Sequence, residues 1–166
     1  MNVILDLDHC LIYSSYSEIE GLDLVDKKGY LFLYHRPGLK EFLKQVIKMK
    51  NINLVFYTSA KADYARWVVQ SFNLDVNYRL FTRSNTRMKY TDYGQLYYKS
   101  IEKIGISKTE RNVVLDDRID LWDSTGVDLI DIDQWHGEPN DKKLEEAFVT
   151  IYKLINKDNR RAIFPF

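Results

Sequence analysis

Three short apolar runs in the sequence end in residues that carry oxygen. Val3-Ile4-Leu5 leads into Asp6-Leu7-Asp8, the run from Ile52 to Tyr57 leads into Thr58-Ser59, and Val113-Val114-Leu115 leads into Asp116-Asp117. Such acids can do covalent work, because a metal-bound carboxylate next to a phosphoryl group is a plausible in-line nucleophile. Open α/β sheets bind ligands beyond the carboxyl ends of their strands. If these runs are neighbouring parallel strands, four carboxylates and a hydroxyl therefore converge at one sheet edge. Carboxylates so crowded either take up protons or hold a cation. All-oxygen donors, with no Cys-rich set and no His pair nearby, favour magnesium, which takes a few carboxylates, several waters and substrate phosphate.

The elements that must gather these residues follow from hydrophobic period. Short apolar runs alternate with longer stretches of helical spacing, which implies an α/β fold with a central parallel sheet. Strands are expected over Val3–Leu7, Ile52–Tyr57, Arg79–Thr82, Val113–Leu115 and Val127–Ile132. Leu39, Phe42, Leu43, Val46 and Ile47 keep the i, i+3, i+4, i+7, i+8 spacing of a helix, and Pro37 suits its first turn. Further helices are expected over Lys61–Phe72, Tyr93–Ile104 and Asp141–Ile155. The segment between the first strand and Pro37 is an insertion too short for a domain, and Tyr30–Tyr34 reads as one strand of a small hairpin within it. The tail from Asn156 to Phe166 lacks a clear period.

Composition bounds the remaining choices. With 166 residues, 45% hydrophobic and 29% charged, the chain is expected to fold as one domain over residues 1–166 and to be monomeric. Lys plus Arg equals Asp plus Glu at 24 each, so no overall field draws the protein to nucleic acid or to a membrane, and neither is an expected partner. One cysteine, Cys10, excludes an intramolecular disulfide and points to a reducing compartment, cytoplasmic or nuclear. The N-terminus meets Asp6 before a signal-peptide core could form, and no apolar stretch approaches the roughly 18 residues of a membrane span, so neither export nor an anchor is expected.

The ordered motifs also resemble a known family. Asp6-Leu7-Asp8-His9-Cys10-Leu11 resembles the DxDx[TV] motif of the haloacid dehalogenase (HAD) superfamily, and Tyr13-Ser14-Ser15 after it is similar to the FCP/SCP-like phosphatases of the RNA polymerase II C-terminal domain. His35-Arg36-Pro37-Gly38-Leu39 through Phe42-Leu43 resembles their RPGLxEFL stretch, and Phe56-Tyr57-Thr58-Ser59-Ala60 with Asp63-Tyr64-Ala65 their second motif. Tyr97-Tyr98-Lys99 looks like the segment carrying their lysine, and Asp116-Asp117-Arg118-Ile119-Asp120-Leu121-Trp122 like their DDRxDxW signature.

The resemblance implies a HAD-like, Rossmann-like three-layer sandwich with no large cap. It further implies that Asp6 attacks phosphorus to give an aspartyl-phosphate and that Asp8 acts as general acid and then base. Magnesium would rest on the Asp6 carboxylate, the Asp8 backbone carbonyl and Asp117, with Asp116 supporting it from behind. Thr58, Ser59 and Lys99 would hold the substrate phosphate, and Arg83 resembles a residue after the third strand that touches it. Cys10 replaces the family's usual Thr or Val; a cysteine-based phosphatase is a poor alternative, because its P-loop arginine would fall on Tyr16.

An insertion too small to close over a metabolite leaves an open site, which suits a phosphoserine or phosphothreonine on a protein or peptide. By family likeness that substrate could be the RNA polymerase II C-terminal domain. The basic residues Arg79, Arg83, Arg87 and Lys89 lie in a stretch without acids and could receive an acidic phosphopeptide or simply form a solvated face. Lys99 could equally be a solvated helix lysine. His9, His35 and His136 are each isolated in the sequence and read as structural, whereas Trp122 and Trp135 could shape a pocket. Two rival functions stay open: a nucleic-acid 3′-end phosphatase on the same scaffold, and a catalytically inactive binding module.

Overall fold

A computed structural model of the chain describes residues 1–92 and 94–161, apart from the side chains of 157–161. From the N-terminus, β1 (Asn2–Leu5) leads into an insertion made of β2 (Ile12–Ser15), β3 (Asp26–Lys28) and β4 (Leu31–His35), and then into α1 (Leu39–Lys48). The chain continues through β5 (Asn53–Tyr57), α2 (Ala62–Gln70), β6 (Tyr78–Phe81) and a hairpin of β7 (Arg87–Thr91) and β8 (Gly94–Tyr98). It ends with β9 (Asn112–Asp116), β10 (Asp128–Asp131) and α3 (Lys143–Arg161).

All five strands expected from the apolar runs join one parallel sheet in the order β10-β9-β1-β5-β6. The three whose ends carry the candidate residues are therefore side by side, with β1 central and every residue of it buried. Alternation along the strands sorts their side chains between two faces. Val3, Leu5, Leu54, Phe56, Val113 and Leu115 pack into one cluster with Leu39, Phe42 and Leu43 of α1, Ala65, Val68 and Val69 of α2, and Leu144 and Ile151 of α3. Ile4, Val55, Tyr57 and Val114 face the other way, onto Ile101, Ile104, Ile106 and Trp122. That second layer is a 3₁₀ turn (Glu102–Ile104) with its flanking chain.

The expected helix over Tyr93–Ile104 does not form. Tyr93 itself lies outside the described residues; Gly94 has φ 110°, which no helix allows, and Gly94–Tyr98 instead pair antiparallel with Arg87–Thr91. Tyr97, Ile101 and Ile104 do keep helical spacing, but strand pairing orients the first and the 3₁₀ turn buries the other two. At α1, Pro37 precedes the helix rather than opening it: Gly38 caps the N-terminus at φ 80° and Leu39 is the first helical residue. The insertion is a three-stranded antiparallel sheet, β2-β4-β3, rather than a hairpin, and Trp67 of α2 fastens it by donating from Nε1 to Asp26 Oδ2 at 2.7 Å. Helix α3 runs on to Arg161, through the first part of the tail that had shown no period. The rest of that tail, residues 162–166, lies outside the described residues.

Candidate active site

The register that aligns Leu5 with Leu115 also sets Asp6 beside Asp116, one residue on, and the Asp6 N–H donates to the Leu115 carbonyl at 3.0 Å. By the alternation of the sheet both side chains leave on the face away from the helices. Lys99 reaches them there. Its backbone is bridged to Trp122, its N–H donating to the Leu121 carbonyl at 2.8 Å, and its buried ammonium donates to Asp6 Oδ1 at 2.5 Å and to Asp116 Oδ2 at 2.7 Å.

Thr58, Ser59, Lys99, Asp6, Asp8, Asp116 and Asp117 all line one cavity of about 280 Å³ at the carboxyl edge of the sheet. Thr58 is buried, and its hydroxyl oxygen accepts from the Ala60 N–H at 3.0 Å, so its own proton remains to be given. Among the described residues, none that line the cavity comes from the β2-β4-β3 insertion. Arg83 lies one layer out instead of at the cavity. Its Nε donates to the Ser59 carbonyl at 2.7 Å and its guanidinium sits 4.5 Å over the Tyr97 ring, so it braces two wall residues.

Asp6, Asp116 and Asp117 bring carboxylate oxygens within 4.8 Å of one another. Asp116 is fully engaged: Oδ1 accepts from the Arg118 N–H at 2.8 Å, and Oδ2 accepts from Lys99 and from Trp122 Nε1, each at 2.7 Å. Asp6 and Asp117 are thus the carboxylates left for a cation, with one Asp117 oxygen accepting from Gln134 Nε2 at 2.9 Å. Burial raises the pKa of Asp6 well above the usual carboxylate range, with Lys99 pulling against it, and burial raises Asp117 as well. Lys99 is pulled down by burial, but Asp6 and Asp116 outweigh that and hold it charged. One ammonium stands among three acids in a buried place, and a hard, oxygen-seeking dication fits that donor set.

Asp8 is turned elsewhere. Its Oδ1 accepts a short hydrogen bond of 2.5 Å from the Tyr64 hydroxyl, which in turn lies 2.7 Å from Ser14 Oγ. Since the Tyr64 proton is committed to Asp8, the Ser14 hydroxyl must be the donor to Tyr64. Burial raises the Asp8 pKa while the Tyr64 hydrogen bond lowers it. Cys10 is fully buried, and burial lifts its thiol well above the ordinary range, so it offers no nucleophile.

Gln134 is a site residue that sequence reasoning did not single out, and Tyr64 entered only as part of the second motif, with no role given to it. Gln134 was within reach of the strand-end rule, because the run Val127–Ile132 ends just before it. Tyr64 gave no such signal, since it lies within α2. Two of the three histidines isolated in sequence meet in space: the rings of His9 and His136 are 4.7 Å apart, with Tyr13 and Trp135 beside them. Asp120 forms an exposed bidentate pair with Arg118.

A central parallel sheet with paired acids and a lysine at its carboxyl edge defines a class of α/β domains built to handle phosphoryl groups. The chain belongs to the NLI interacting factor-like phosphatase family, whose model matches residues 1–161. It is 26% identical to the phosphatase PSR1 of Saccharomyces cerevisiae, over 93% of this chain and 36% of that protein. It is 23% identical to a probable C-terminal domain small phosphatase of Dictyostelium discoideum, over 97% of this chain and 53% of that one. The chain thus spans about a third to a half of the length of these relatives. Among solved structures, the fold is similar to that of Fcp1, an essential RNA polymerase II CTD phosphatase, with a TM-score of 0.56 at 23% identity over 92% of this chain and 49% of that one. Among the described residues no helix is long and apolar enough to cross a membrane.

Proposed function

We propose that the chain is a magnesium-dependent phosphatase of phosphoserine or phosphothreonine in proteins, working through a covalent intermediate on Asp6. The observation that carries this reading is the buried Asp6 carboxylate held by Lys99 in the cavity that Asp8, Thr58 and Asp117 also line. An Asp6 oxygen forms a bond to phosphorus as the bond from phosphorus to the ester oxygen breaks. Asp8, whose pKa burial raises, gives a proton to the departing alkoxide in this reading. A water then attacks phosphorus and loses its proton to Asp8, the bond to Asp6 breaks, and inorganic phosphate leaves.

Lys99 spends two of its three N–H donors on Asp6 and Asp116, which leaves one for a phosphoryl oxygen, and the free Thr58 proton serves another. Ser59 contributes to the same wall of the cavity, and Arg83 acts on the phosphate only by bracing that wall. Magnesium would be held by the Asp6 and Asp117 carboxylates of the acidic cluster together with the Asp8 backbone carbonyl, Asp116 would support it from behind, and when bound it would neutralise phosphoryl charge. A cavity to which the insertion gives no lining residue favours a phosphate displayed on an extended chain, and a polymerase C-terminal domain of the kind named for the relatives is one such substrate.

The test is Asp6→Asn, which keeps size and one acceptor for Lys99. Phosphate release from p-nitrophenyl phosphate and from a phosphoserine peptide should fall to background while the melting temperature stays near that of the parent. Turnover surviving in the variant removes Asp6 from the nucleophile role. Chelation should likewise stop turnover of the parent and added magnesium restore it; full activity in chelator sinks the metal assignment.

A further inference from the structure

A second cavity of about 530 Å³ lies next to the first: Lys99 lines both, and Trp122, whose Nε1 donates to Asp116 of the catalytic cavity, lines the second. Its outer side is the β7–β8 hairpin. Alternation along β8 gives Tyr97 to the catalytic cavity and Tyr98 to this one. Arg87 and Lys89, two apart on β7, share the face of Tyr98: Arg87 is paired with Tyr98 in register, and the Lys89 ammonium sits 4.5 Å over the Tyr98 ring. Lys103 adds a third cation from the 3₁₀ turn.

Among the described residues none of these three cations has a carboxylate within ion-pair distance. Two acids also line it: Glu102 pairs with Lys108 at 3.5 Å, and Asp123, whose Oδ1 accepts from the Thr125 N–H at 3.0 Å, keeps its charge, so the cations of the lining outnumber the acids. An excess of like charge gathered around a hollow is self-repelling, and an anion entering it lessens that repulsion. A protein in overall charge balance has no general need of such a spot.

We infer that this cavity is a second anion subsite, which takes another phosphate group on the same peptide whose first phosphate occupies the catalytic cavity. The inference rests on the phosphoprotein reading above and deepens it to multiply phosphorylated segments. A single peptide can serve both hollows because they share Lys99 and are lined by adjacent residues, Tyr97 and Leu121 in one and Tyr98 and Trp122 in the other. Arginine and lysine donors favour a phosphate dianion over a single carboxylate.

Two measurements decide it. Phosphoserine peptides carrying a second phosphate two to six residues to either side are compared with singly phosphorylated and glutamate-substituted versions, in turnover by the parent and in anisotropy binding to Asp6→Asn. At one spacing the doubly phosphorylated peptide should be favoured by about tenfold, through KM rather than kcat. Arg87→Ala/Lys89→Ala/Lys103→Ala should erase that preference and leave p-nitrophenyl phosphate turnover unchanged. Equal treatment of all peptides at every spacing overturns the inference, as does a preference that survives in the triple variant or an equal gain from glutamate. A gain confined to 3′-phosphorylated oligonucleotides and lost in the triple variant also overturns it, in favour of nucleic acid. If p-nitrophenyl phosphate and all peptides go unhydrolysed, the phosphatase reading fails by itself, and the binding measurement still judges the subsite.

Discussion

At Asp8 one hydroxyl sets the chemistry. The Tyr64 proton stabilises the charged carboxylate, so Tyr64→Phe should raise the Asp8 pKa further and loosen its aim. We expect kcat to fall about tenfold, short of the 10²–10⁴-fold range for losing a general acid. The alkaline limb of the pH–rate profile should move to higher pH, because Asp8, the general acid of the proposed mechanism, then keeps its proton over a wider range. A variant that loses rate without moving that limb would leave Tyr64 with a packing role only. The sequence made Asp6, Asp8, Thr58, Asp116 and Asp117 legible because each closes an apolar run, and the ends of parallel strands must lie together. Tyr64 was not legible for the converse reason: its partner is 56 residues away, and no local pattern encodes that contact.

Among the elements, the central strands are tied at the end remote from the site by a ladder of amides. Asn2 Nδ2 donates to Asn112 Oδ1 at 2.8 Å and Asn53 Nδ2 to Asn2 Oδ1 at 3.1 Å, while Asn112 Nδ2 reaches the carbonyls of Ser107, Glu110 and Gly126 at 2.9 Å each. Asn112 is buried, so Asn112→Ala strands several polar groups and should cost about 1–3 kcal/mol in chemical denaturation. Rate at temperatures well below the melting point should be unaltered, since β9 carries its catalytic-edge residues at the opposite end; a large loss of kcat would contradict that separation. Strand existence was readable from the short apolar runs of β1, β5 and β9, all three in the centre of a sheet buried on both faces. The β7–β8 hairpin was not. Arg87-Met88-Lys89-Tyr90-Thr91 alternates in sequence, but its apolar members Met88 and Tyr90 are exposed rather than packed on a core, and the expected helix over Tyr93–Ile104 ran across the turn that Gly94 makes.

Across the whole molecule, two adjacent residues at the exit of the insertion join it to the rest. Arg36, fully buried, donates from Nε and Nη2 to both oxygens of Asp141 before α3, at 2.8 and 2.9 Å, and from Nη1 to the Cys10 carbonyl in the catalytic loop at 3.0 Å. His35 lies 2.8 Å by Nε2 from Ser71 Oγ at the end of α2; because that hydroxyl already donates to the Val68 carbonyl, His35 must be the donor and is neutral with its proton on Nε2. Burial pulls the His35 pKa down to about 4. Between that value and the unfolded value of about 6.5, the unfolded chain carries a proton on residue 35 that the folded chain does not. Stability contributed by neutral His35 is therefore full above the unfolded value and declines as pH falls through the window. Asp6, Asp8 and Asp117, raised by burial, work in the opposite sense and mask the slope in the parent protein. The difference between two proteins isolates it: His35→Gln keeps an N–H donor for Ser71 but cannot titrate. Denaturation midpoints taken from pH 7 to pH 4 should fall more steeply in the parent than in the variant, by less than one proton because the ring is partly exposed, and parallel lines would mean that His35 accepts a proton in the folded protein without cost.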